Sequence, residues 1–172
     1  DGQYLDIDGR EWRAVIGHGH SPEHVCLYCP ELKLIIGGDQ LLPKITPNVS
    51  VQPSEPFADP LREWIASCSR FRELLPPNLL VLPAHEFLYE GLHERLTALI
   101  DWHEVALEKL YDLCAEPKRA VDVFPALFKS EINDYSYVPA TGESIAHLHC
   151  ALGRRMLTVE EDGNGVAWWQ QA

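Results

Sequence analysis

The first forty residues alternate apolar and polar positions in short runs, which is the pattern of half-buried β-strands. The opening run, GQYLDIDGREWRAVIG, contains the dipeptide Asp8-Gly9, which favours a tight hairpin turn. Two further runs, HVCLYC and LKLIIGG, follow across a turn at Pro30-Glu31. We therefore expect an antiparallel meander of four strands at the start of the chain.

An irregular segment and then a helix follow the meander. Residues 41–56 are rich in Pro, Ser, Asn and Thr, so they predict a long loop of the kind that often lines a functional site. A helix is expected to begin at Asp59-Pro60, where apolar residues start to recur at helical spacing, and to end at Pro76-Pro77. The run NLLVLP then predicts another buried strand.

Helical spacing dominates the rest of the chain. Apolar residues step by three or four positions from Leu92 over more than twenty residues, which predicts a long helix that either continues or breaks near Ile100. Two shorter helices follow, VDVFPALF and ESIAHLHCALGRR, and the runs MLTV and VAWW flank the turn EEDGNG as a hairpin. Helices followed by a two-stranded hairpin indicate a winged helix, with a domain boundary near residue 98.

The composition is that of a globular protein, with 46% hydrophobic and 23% charged residues. No apolar stretch reaches the ~20 residues of a membrane span, and the N-terminus lacks a signal-peptide pattern. We therefore expect a cytoplasmic protein with no membrane partner. Five cysteines, an odd number in a chain of this size, favour reduced thiols over a disulfide framework.

The charge balance argues against polyanionic partners. Asp and Glu number 26 against 14 Lys and Arg, so the formal net charge is -12, and the basic residues are not clustered. A chain with this balance repels phosphate backbones. Nucleic acid is therefore disfavoured as a partner.

Three apolar strands each end, within three residues, on a side chain that can bind a metal: His20, Asp39 and His85. In a meander alternate strands run the same way, so His20 and Asp39 are expected at the same edge of the sheet. His85 joins them if its strand runs parallel to theirs. Imidazole and carboxylate together suit zinc, iron(II) or manganese. Each residue alone is better explained as a hydrogen-bonded side chain at a strand end, so the prediction depends on the three together.

Other candidate groups have simpler explanations. His18 is expected in a solvent-facing or loop-bonded position. Cys26 and Cys29 form a CxxC pattern, but residues three apart in a strand face opposite sides, so they are expected to be core and edge thiols. His103 and His147 are expected to make polar contacts between helices.

The motifs GHSPEHV, GGD and LPAH, in that order, resemble those of the metallo-beta-lactamase superfamily. The resemblance implies that His20 is a metal ligand, with His24 as a structural residue behind it. It also implies that Asp39 is a catalytic residue that bridges two metals and that His85 is the last histidine ligand. The segments ESIAHL and VEEDGNGVAWW resemble the winged-helix branch of this superfamily, so the resemblance covers nearly the whole chain.

One signature of the superfamily, HxHxDH, does not occur in the sequence. That motif supplies the remaining ligands in the family, where His20 and His85 would serve different metals and share Asp39. The resemblance therefore implies an α+β chain in which residues 1–97 form the C-terminal half of an αββα metallo-beta-lactamase sandwich. Residues 98–172 would form a winged-helix domain. The complete family site holds two ions, of zinc, iron or manganese.

The expected function is that of a metal-dependent hydrolase acting on a small-molecule ester, thioester, lactone or phosphoester. Without the HxHxDH half, the chain alone is expected to be weak or inactive as an enzyme. Its expected partner is the missing N-terminal half or a second copy of the chain, either of which would cover an exposed apolar sheet face. Lys44, in the loop after Asp39, is a candidate partner for an anionic group.

A winged-helix interaction or dimerisation module, including one that processes nucleic acid, is the alternative function. The hairpin tip carries Glu160, Glu161 and Asp162, where a nucleic-acid-binding wing would place Lys or Arg. Residues 98–172 contain six basic and twelve acidic residues, a balance of -6. A packing or dimerisation role is therefore favoured over nucleic-acid binding.

Overall fold

Five strands form one mixed sheet in the computed structural model, which describes residues 1–172. They are β1 (Tyr4–Ile7), β2 (Arg10–Gly17), β3 (His24–Cys29), β4 (Leu34–Gly38) and β5 (Leu80–Pro83), and they lie in that order across the sheet. Strands β1 to β4 pair antiparallel, which confirms the predicted meander, while β5 pairs parallel to β4. Strands β2, β4 and β5 therefore run in the same direction.

The connection from β4 to β5 contains helix α1 (Pro60–Leu74). Parallel strands need such a long crossover, because a tight turn can join only antiparallel neighbours. At the start of the helix, the Arg62 N–H donates to Asp59 Oδ1 at 3.1 Å, the bond expected of an N-terminal cap. The helix ends just before Pro76-Pro77, as predicted from the inability of proline to continue a helix.

Helix α2 (Leu92–Leu113) is one continuous helix, without a break near Ile100. Leu92, Leu96 and Leu99 lie three or four positions apart and are buried, which confirms the helical face that the apolar spacing predicted. Arg72 of α1 donates a hydrogen bond to Thr97 Oγ1 of α2 at 2.9 Å. The last turn of α1 and the first half of α2 are therefore neighbours.

The inner face of the sheet carries the buried core of the first five strands. Its side chains come from four neighbouring strands and are at most 1% exposed: Val15, Cys26, Ile35 and Val81. Arg70 of α1 donates a hydrogen bond to the Ile16 carbonyl oxygen of β2 and interacts electrostatically with the Cys26 thiol, so α1 packs against the sheet on the face that carries Cys26. The core of this part of the chain thus lies between the sheet and α1.

Part of the opposite face of the sheet, which we call the outer face, is apolar and open to water. Ile16 of β2 lies opposite Val25 of β3, and Leu27 of β3 lies opposite Ile36 of β4. Val25 and Ile36 are 54% and 41% exposed. Because contiguous apolar surface is unfavourable in water, the outer face is a candidate contact surface.

The chain divides into two compact units that alternate along the sequence. The first comprises Asp1–Pro47 and Glu63–Ile100, and the second comprises Asn48–Arg62 and Asp101–Ala172. Residues 48–62, which the sequence assigned to the first domain, cluster with the second unit, where the Val51 N–H donates to the Gly142 carbonyl oxygen at 3.1 Å. The division into domains at residues 97 and 98 stays a prediction.

After α2, the second unit consists of two short helices, one longer helix and a hairpin. Its elements are a 3-10 helix (Ala120–Val123), α3 (Phe124–Leu127), α4 (Tyr137–Gly153), β6 (Leu157–Glu161) and β7 (Ala167–Gln171). Strands β6 and β7 pair antiparallel, as the sequence predicted. The expected order of helices and hairpin is present, while the winged-helix assignment stays a prediction.

Two buried histidines contact each other in the second unit, as predicted for polar contacts between helices. His103 Nδ1 of α2 lies 3.2 Å from His147 Nε2 of α4. His147 Nδ1 lies 2.8 Å from the Glu143 carbonyl oxygen, which can only accept, so Nδ1 carries the proton and Nε2 accepts from His103. Burial lowers the pKa of His103 to about 3 and that of His147 to about 4, so both are neutral at pH 7.

Glu143, one turn before His147 on α4, is a buried carboxyl group. Asn48 Nδ2 donates to Glu143 Oε2 at 3.2 Å. Burial raises the pKa of Glu143 to about 7, and the hydrogen bond from Asn48 opposes this shift only in part. The folded protein therefore keeps a proton on Glu143 at pH values where the unfolded chain has released it.

All five cysteines are free and buried. Cys26 and Cys29 both have 0% exposure, so the predicted edge position of one of these thiols is wrong. The reason is that β3, which carries both, lies between β2 and β4 in the middle of the sheet. Burial raises the pKa of the Cys26 thiol to about 12, which makes it unreactive at neutral pH.

None of the helices combines the length and the apolar character that crossing a membrane requires.

Replacing Glu143 with Gln is expected to raise stability at the alkaline end of the titration range. Between pH 4.5 and about 7 the folded state keeps a proton that the unfolded chain loses, so the contribution of Glu143 falls as pH rises through that window. The E143Q amide cannot ionise, and its oxygen can still accept from Asn48. The variant should therefore gain up to about 3 kcal/mol over wild type across the window, measured by urea unfolding at both ends.

Glu161→Gln, at an exposed position of β6, is the matched control and should leave the pH profile unchanged. The two neutral histidines act in the opposite sense, because their contribution is lost as pH falls from 6.5 toward 4 and 3. The effect of the histidines on the free energy of unfolding is the same in E143Q and wild type, so it cancels in the difference between them. Parallel pH profiles for E143Q and wild type would contradict the prediction.

Candidate functional site

His20, Asp39 and His85 lie where three strands of one direction end. His20 follows β2, Asp39 directly follows β4, and His85 follows β5. Because β2 and β4 both pair antiparallel with β3, and β5 pairs parallel to β4, all three strands end at the same edge of the sheet. The structure therefore brings the three residues from distant parts of the chain to one edge.

Asp39 contacts both histidines through different oxygen atoms. His20 Nε2 lies 3.7 Å from Asp39 Oδ2, and His85 Nε2 lies 3.2 Å from Asp39 Oδ1. His20 and Asp39 are half-buried, whereas His85 is exposed. The carboxylate thus stands between the two imidazoles, with one oxygen toward each.

A shift in strand pairing at the end of β4 positions Asp39. The pairing of β4 with β5 shifts between Ile36 and Gly38, and Gly38 has a φ of 53°. A Cβ at Gly38 would lie 2.4 Å from His24 Nε2, so both the backbone conformation and the close approach require glycine. The Ala84 N–H donates to the Gly38 carbonyl oxygen at 3.1 Å, which ties the chain before His85 to the turn that carries Asp39.

His24 packs against this turn from the start of β3. Its ring lies against Gly38, and its centroid is 6.0 Å from that of His20. Burial lowers the pKa of His24, and the nearby His20 lowers it further. A neutral His24 ring therefore supports the backbone that presents Asp39.

His18 is bonded within its own loop, as predicted. Its Nδ1 lies 2.6 Å from the Pro22 carbonyl oxygen, and its main-chain N–H donates to Ser67 Oγ at 2.9 Å. Gly19, the next residue, has a φ of 102°, a conformation that favours glycine. These bonds hold the loop that carries His20 against α1.

Sequence reasoning missed Gln40, which is buried directly beside Asp39. Gln40 is 1% exposed, and a Cβ at Gly17 would lie 2.3 Å from its Cδ atom. Neither polar atom of its amide has a hydrogen-bond partner within the protein. A buried amide of this kind lowers stability, and such residues cluster at functional sites. Its position after Asp39 is the one signal in the sequence that could have found it.

The donor types and their spacing fit a role in metal binding. Zinc binds imidazole nitrogen and carboxylate oxygen at about 2.0–2.2 Å, so two ligands of one tetrahedral ion lie about 3.3 Å apart. The separations of 3.7 and 3.2 Å from Asp39 to His20 and His85 lie on either side of that value. The number of donors does not complete a site, because no group of three or more His, Cys, Asp or Glu side chains is arranged to hold a metal ion.

Two family models match parts of the sequence. The model of the metallo-beta-lactamase superfamily matches residues 4–85, a range that contains His20, Asp39 and His85. The model described as the metallo-beta-lactamase-like C-terminal domain matches residues 107–172. No curated protein matches the chain.

Solved structures of the same fold match the whole chain. A beta-lactamase domain protein from Burkholderia ambifaria is 35% identical and has a TM-score of 0.94, with 100% of this chain and 51% of that chain covered. A metallo-beta-lactamase family protein from Thermus thermophilus shares the fold at 24% identity and a TM-score of 0.85, with 100% and 53% covered. The mixed α+β fold thus matches metallo-beta-lactamase structures, and the chain spans about half the length of these two proteins.

Replacing Gly38 with Ala is expected to destabilise the fold by about 1–3 kcal/mol, because the added Cβ meets the His24 ring and the positive φ disfavours any other residue. Urea unfolding measures the loss. Gly163→Ala, in the turn between β6 and β7, is the matched control, since a Cβ there meets nothing within 4 Å. Equal unfolding free energies for the two variants would contradict the role assigned to the Gly38 turn.

Proposed function

We propose that this chain, which carries domains of the metallo-beta-lactamase superfamily, forms part of a metal-dependent hydrolase. The observation that carries the proposal is the position of Asp39. Its two carboxylate oxygens face the Nε2 atoms of two different histidines. A carboxylate in that position suits a ligand shared by two cations, with one oxygen for each.

In this proposal Asp39 would be the catalytic residue of the chain and would hold two cations, while His20 and His85 would each hold one. Two divalent cations, of zinc, iron or manganese, would supply Lewis acidity toward the bond to be hydrolysed. The turn at Gly38 and the His24 ring keep the Asp39 carboxylate between the two imidazoles. The proposed substrates are small-molecule esters, thioesters, lactones or phosphoesters.

We propose that the remaining ligands come from polypeptide outside this chain. The support is the number of donors, since no group of three or more His, Cys, Asp or Glu side chains is arranged around one cation position. The outer face supports the same proposal, because Val25 and Ile36 are open to water. A segment equivalent to the other half of the solved relatives would cover this face, and a second copy of the chain is the alternative occupant. The isolated chain would then be weak or inactive.

The second unit is proposed to be a winged-helix module that packs or dimerises. Its support is the order of α4, β6 and β7, in which a helix is followed by an antiparallel hairpin. Glu160, Glu161 and Asp162 at the hairpin tip are exposed, so this surface would repel the phosphates of a nucleic acid. A role in protein contacts therefore suits the second unit better than nucleic-acid processing.

A cytoplasmic location is proposed from the state of the thiols. All five cysteines are free, whereas disulfides form and persist in oxidising compartments. Burial raises the pKa of Cys26 and Cys68 to about 12, which protects them from oxidation. These thiols are therefore suited to a reducing compartment.

Replacing Asp39 with Asn is expected to weaken zinc binding by the chain at least about tenfold, because the amide cannot offer a negative oxygen to each cation. Competition with a chromophoric chelator at neutral pH measures the affinity. Asp134→Asn, which changes an exposed carboxylate in the second unit, is the matched control. Zinc affinities that are equal for D39N and D134N would exclude the proposed ligand.

Measurements of hydrolysis test two parts of the proposal separately: that the chain belongs to a hydrolase, and that it is incomplete as an enzyme on its own. Activity on a panel of esters, thioesters, lactones and phosphoesters is expected only after the equivalent of the missing half is added as a second polypeptide. Full activity of the isolated chain would contradict its proposed incompleteness. No activity with both polypeptides and zinc present would contradict the proposed hydrolase function.

Replacing Val25 and Ile36 together with Thr is expected to reduce self-association of the chain, since Thr keeps the β-branched shape and removes apolar surface. Analytical ultracentrifugation should show a dissociation constant raised about tenfold. Val138→Thr is the matched control, because this residue is 77% exposed but lies in the second unit. A wild-type chain that stays monomeric at high concentration would exclude a second copy as the occupant of the outer face and leave the segment equivalent to the other half of the relatives.

A further inference from the structure

The loop that carries His85 is closed at its base by two hydrogen bonds. The Val81 N–H donates to the Tyr89 carbonyl oxygen at 2.8 Å, and the Tyr89 N–H donates back to the Val81 carbonyl oxygen at 3.3 Å. The Ala84 N–H donates to the Gly38 carbonyl oxygen, next to Asp39. The residues after His85 are therefore held close to Asp39.

A second loop, which follows Asp39, is joined to the first. Arg95 donates from Nε to the Leu42 carbonyl oxygen at 2.7 Å and from Nη2 to the Ile45 carbonyl oxygen at 2.8 Å. Glu86 Oε2 accepts the Lys44 main-chain N–H at 3.1 Å. Residues 42–45 and 84–88 thus form one connected structure, which we call the rim.

The rim presents apolar side chains to solvent, where they do not contribute to the stability of the fold. Ile45, Phe87 and Leu88 are 50%, 51% and 58% exposed. Glu86, between His85 and Phe87, has a φ of 71°, which is unusual for a residue with a side chain. Backbone strain together with exposed apolar groups beside candidate ligands is typical of a surface that binds a substrate.

Lys44 adds a positive charge to this apolar surface. Its Nζ lies 4.7 Å from the centroid of the Phe87 ring, in a cation–π contact. None of the ion pairs of the structure includes Lys44. The carboxylate of Glu86 is directed to the Lys44 main-chain N–H instead. In a chain of net charge -12, this ammonium group is thus placed on the rim without an acidic partner.

We propose that the rim selects substrates that carry an anionic group next to an apolar chain. Lys44 binds the anionic group, and Phe87, Leu88 and Ile45 contact the chain. The inference rests on the proposed hydrolase function, since it narrows the substrate class of the same site. It implies that purely polar anions and neutral apolar molecules both bind more weakly than molecules that combine an anionic group with an apolar chain.

Binding of octanoate, octanamide and acetate to the metal-free chain tests the proposal. The three probes separate charge from chain length, and an NMR titration of main-chain amides reports both affinity and location. We expect octanoate to bind most tightly and to shift the amides of residues 42–45 and 84–88. Lys44→Gln should weaken octanoate about fivefold and leave octanamide unchanged, as removal of one exposed charge contact predicts.

Replacing Phe87 and Leu88 together with Ala should weaken octanoate and octanamide alike, by about tenfold, because both probes lose the same apolar contact. Lys109→Gln and Phe57→Ala are the matched controls, since they remove an exposed cation and a 92% exposed ring elsewhere in the chain. Neither control should change any of the affinities.

Several outcomes would contradict the proposed role of the rim in substrate binding. They are equal affinities for octanoate and octanamide, no effect of K44Q, or shifts confined to Val25, Ile36 and their neighbours on the outer face. A change in oligomeric state of the F87A/L88A variant would identify the patch as a protein interface instead. Because the titration uses no metal, lost zinc binding with retained octanoate binding would count against the hydrolase alone, and the reverse result against the rim alone.

Discussion

Parallel pairing of β5 with β4 is the constraint on which the candidate site depends. The meander alone brings His20 and Asp39 to one edge, because β2 and β4 run the same way. An antiparallel β5 would place His85 at the opposite edge of the sheet, far from Asp39. The long crossover through α1 permits the parallel pairing, and the bond from Ala84 to Gly38 secures it at the end where the three side chains meet.

Departures from ordinary folding rules concentrate at this edge of the sheet. Glu86 has a positive φ angle, and Gln40 is buried without partners for its amide. The exposed apolar residues of the rim lie in the same loops. Each of these features costs stability, and the rest of the first unit compensates through a core whose side chains are almost completely buried. The surrounding fold therefore stabilises a local conformation at the site that is unfavourable on its own.

Much of the fold could be predicted from the sequence because it depends on local periodicity. Alternating apolar positions located the meander, and the capping Asp59 and the stop at Pro76-Pro77 located α1. The same spacing located α2 and the final hairpin. The three side chains at strand ends were also visible, since each follows an apolar strand within three residues.

Features that depend on tertiary contacts could not be predicted in the same way. The direction of β5 was left open, because periodicity does not distinguish parallel from antiparallel pairing. The burial of Cys29 depends on neighbouring strands, and that of Gln40 on a close approach to Gly17. The association of residues 48–62 with the second unit depends on the space that Gly142 leaves for Ser50. Apart from the position of Gln40 directly after Asp39, none of these contacts has a signature in the residues nearby in sequence.

The alternation of the two units along the chain constrains how such a protein can be rearranged. Residues 48–62 leave the first unit and the chain then returns to it before the second unit is completed. No single cut in the gene separates the units, so a simple fusion or recombination event cannot exchange one of them for a foreign module. Any rearrangement that keeps both intact has to carry the crossover segment with it.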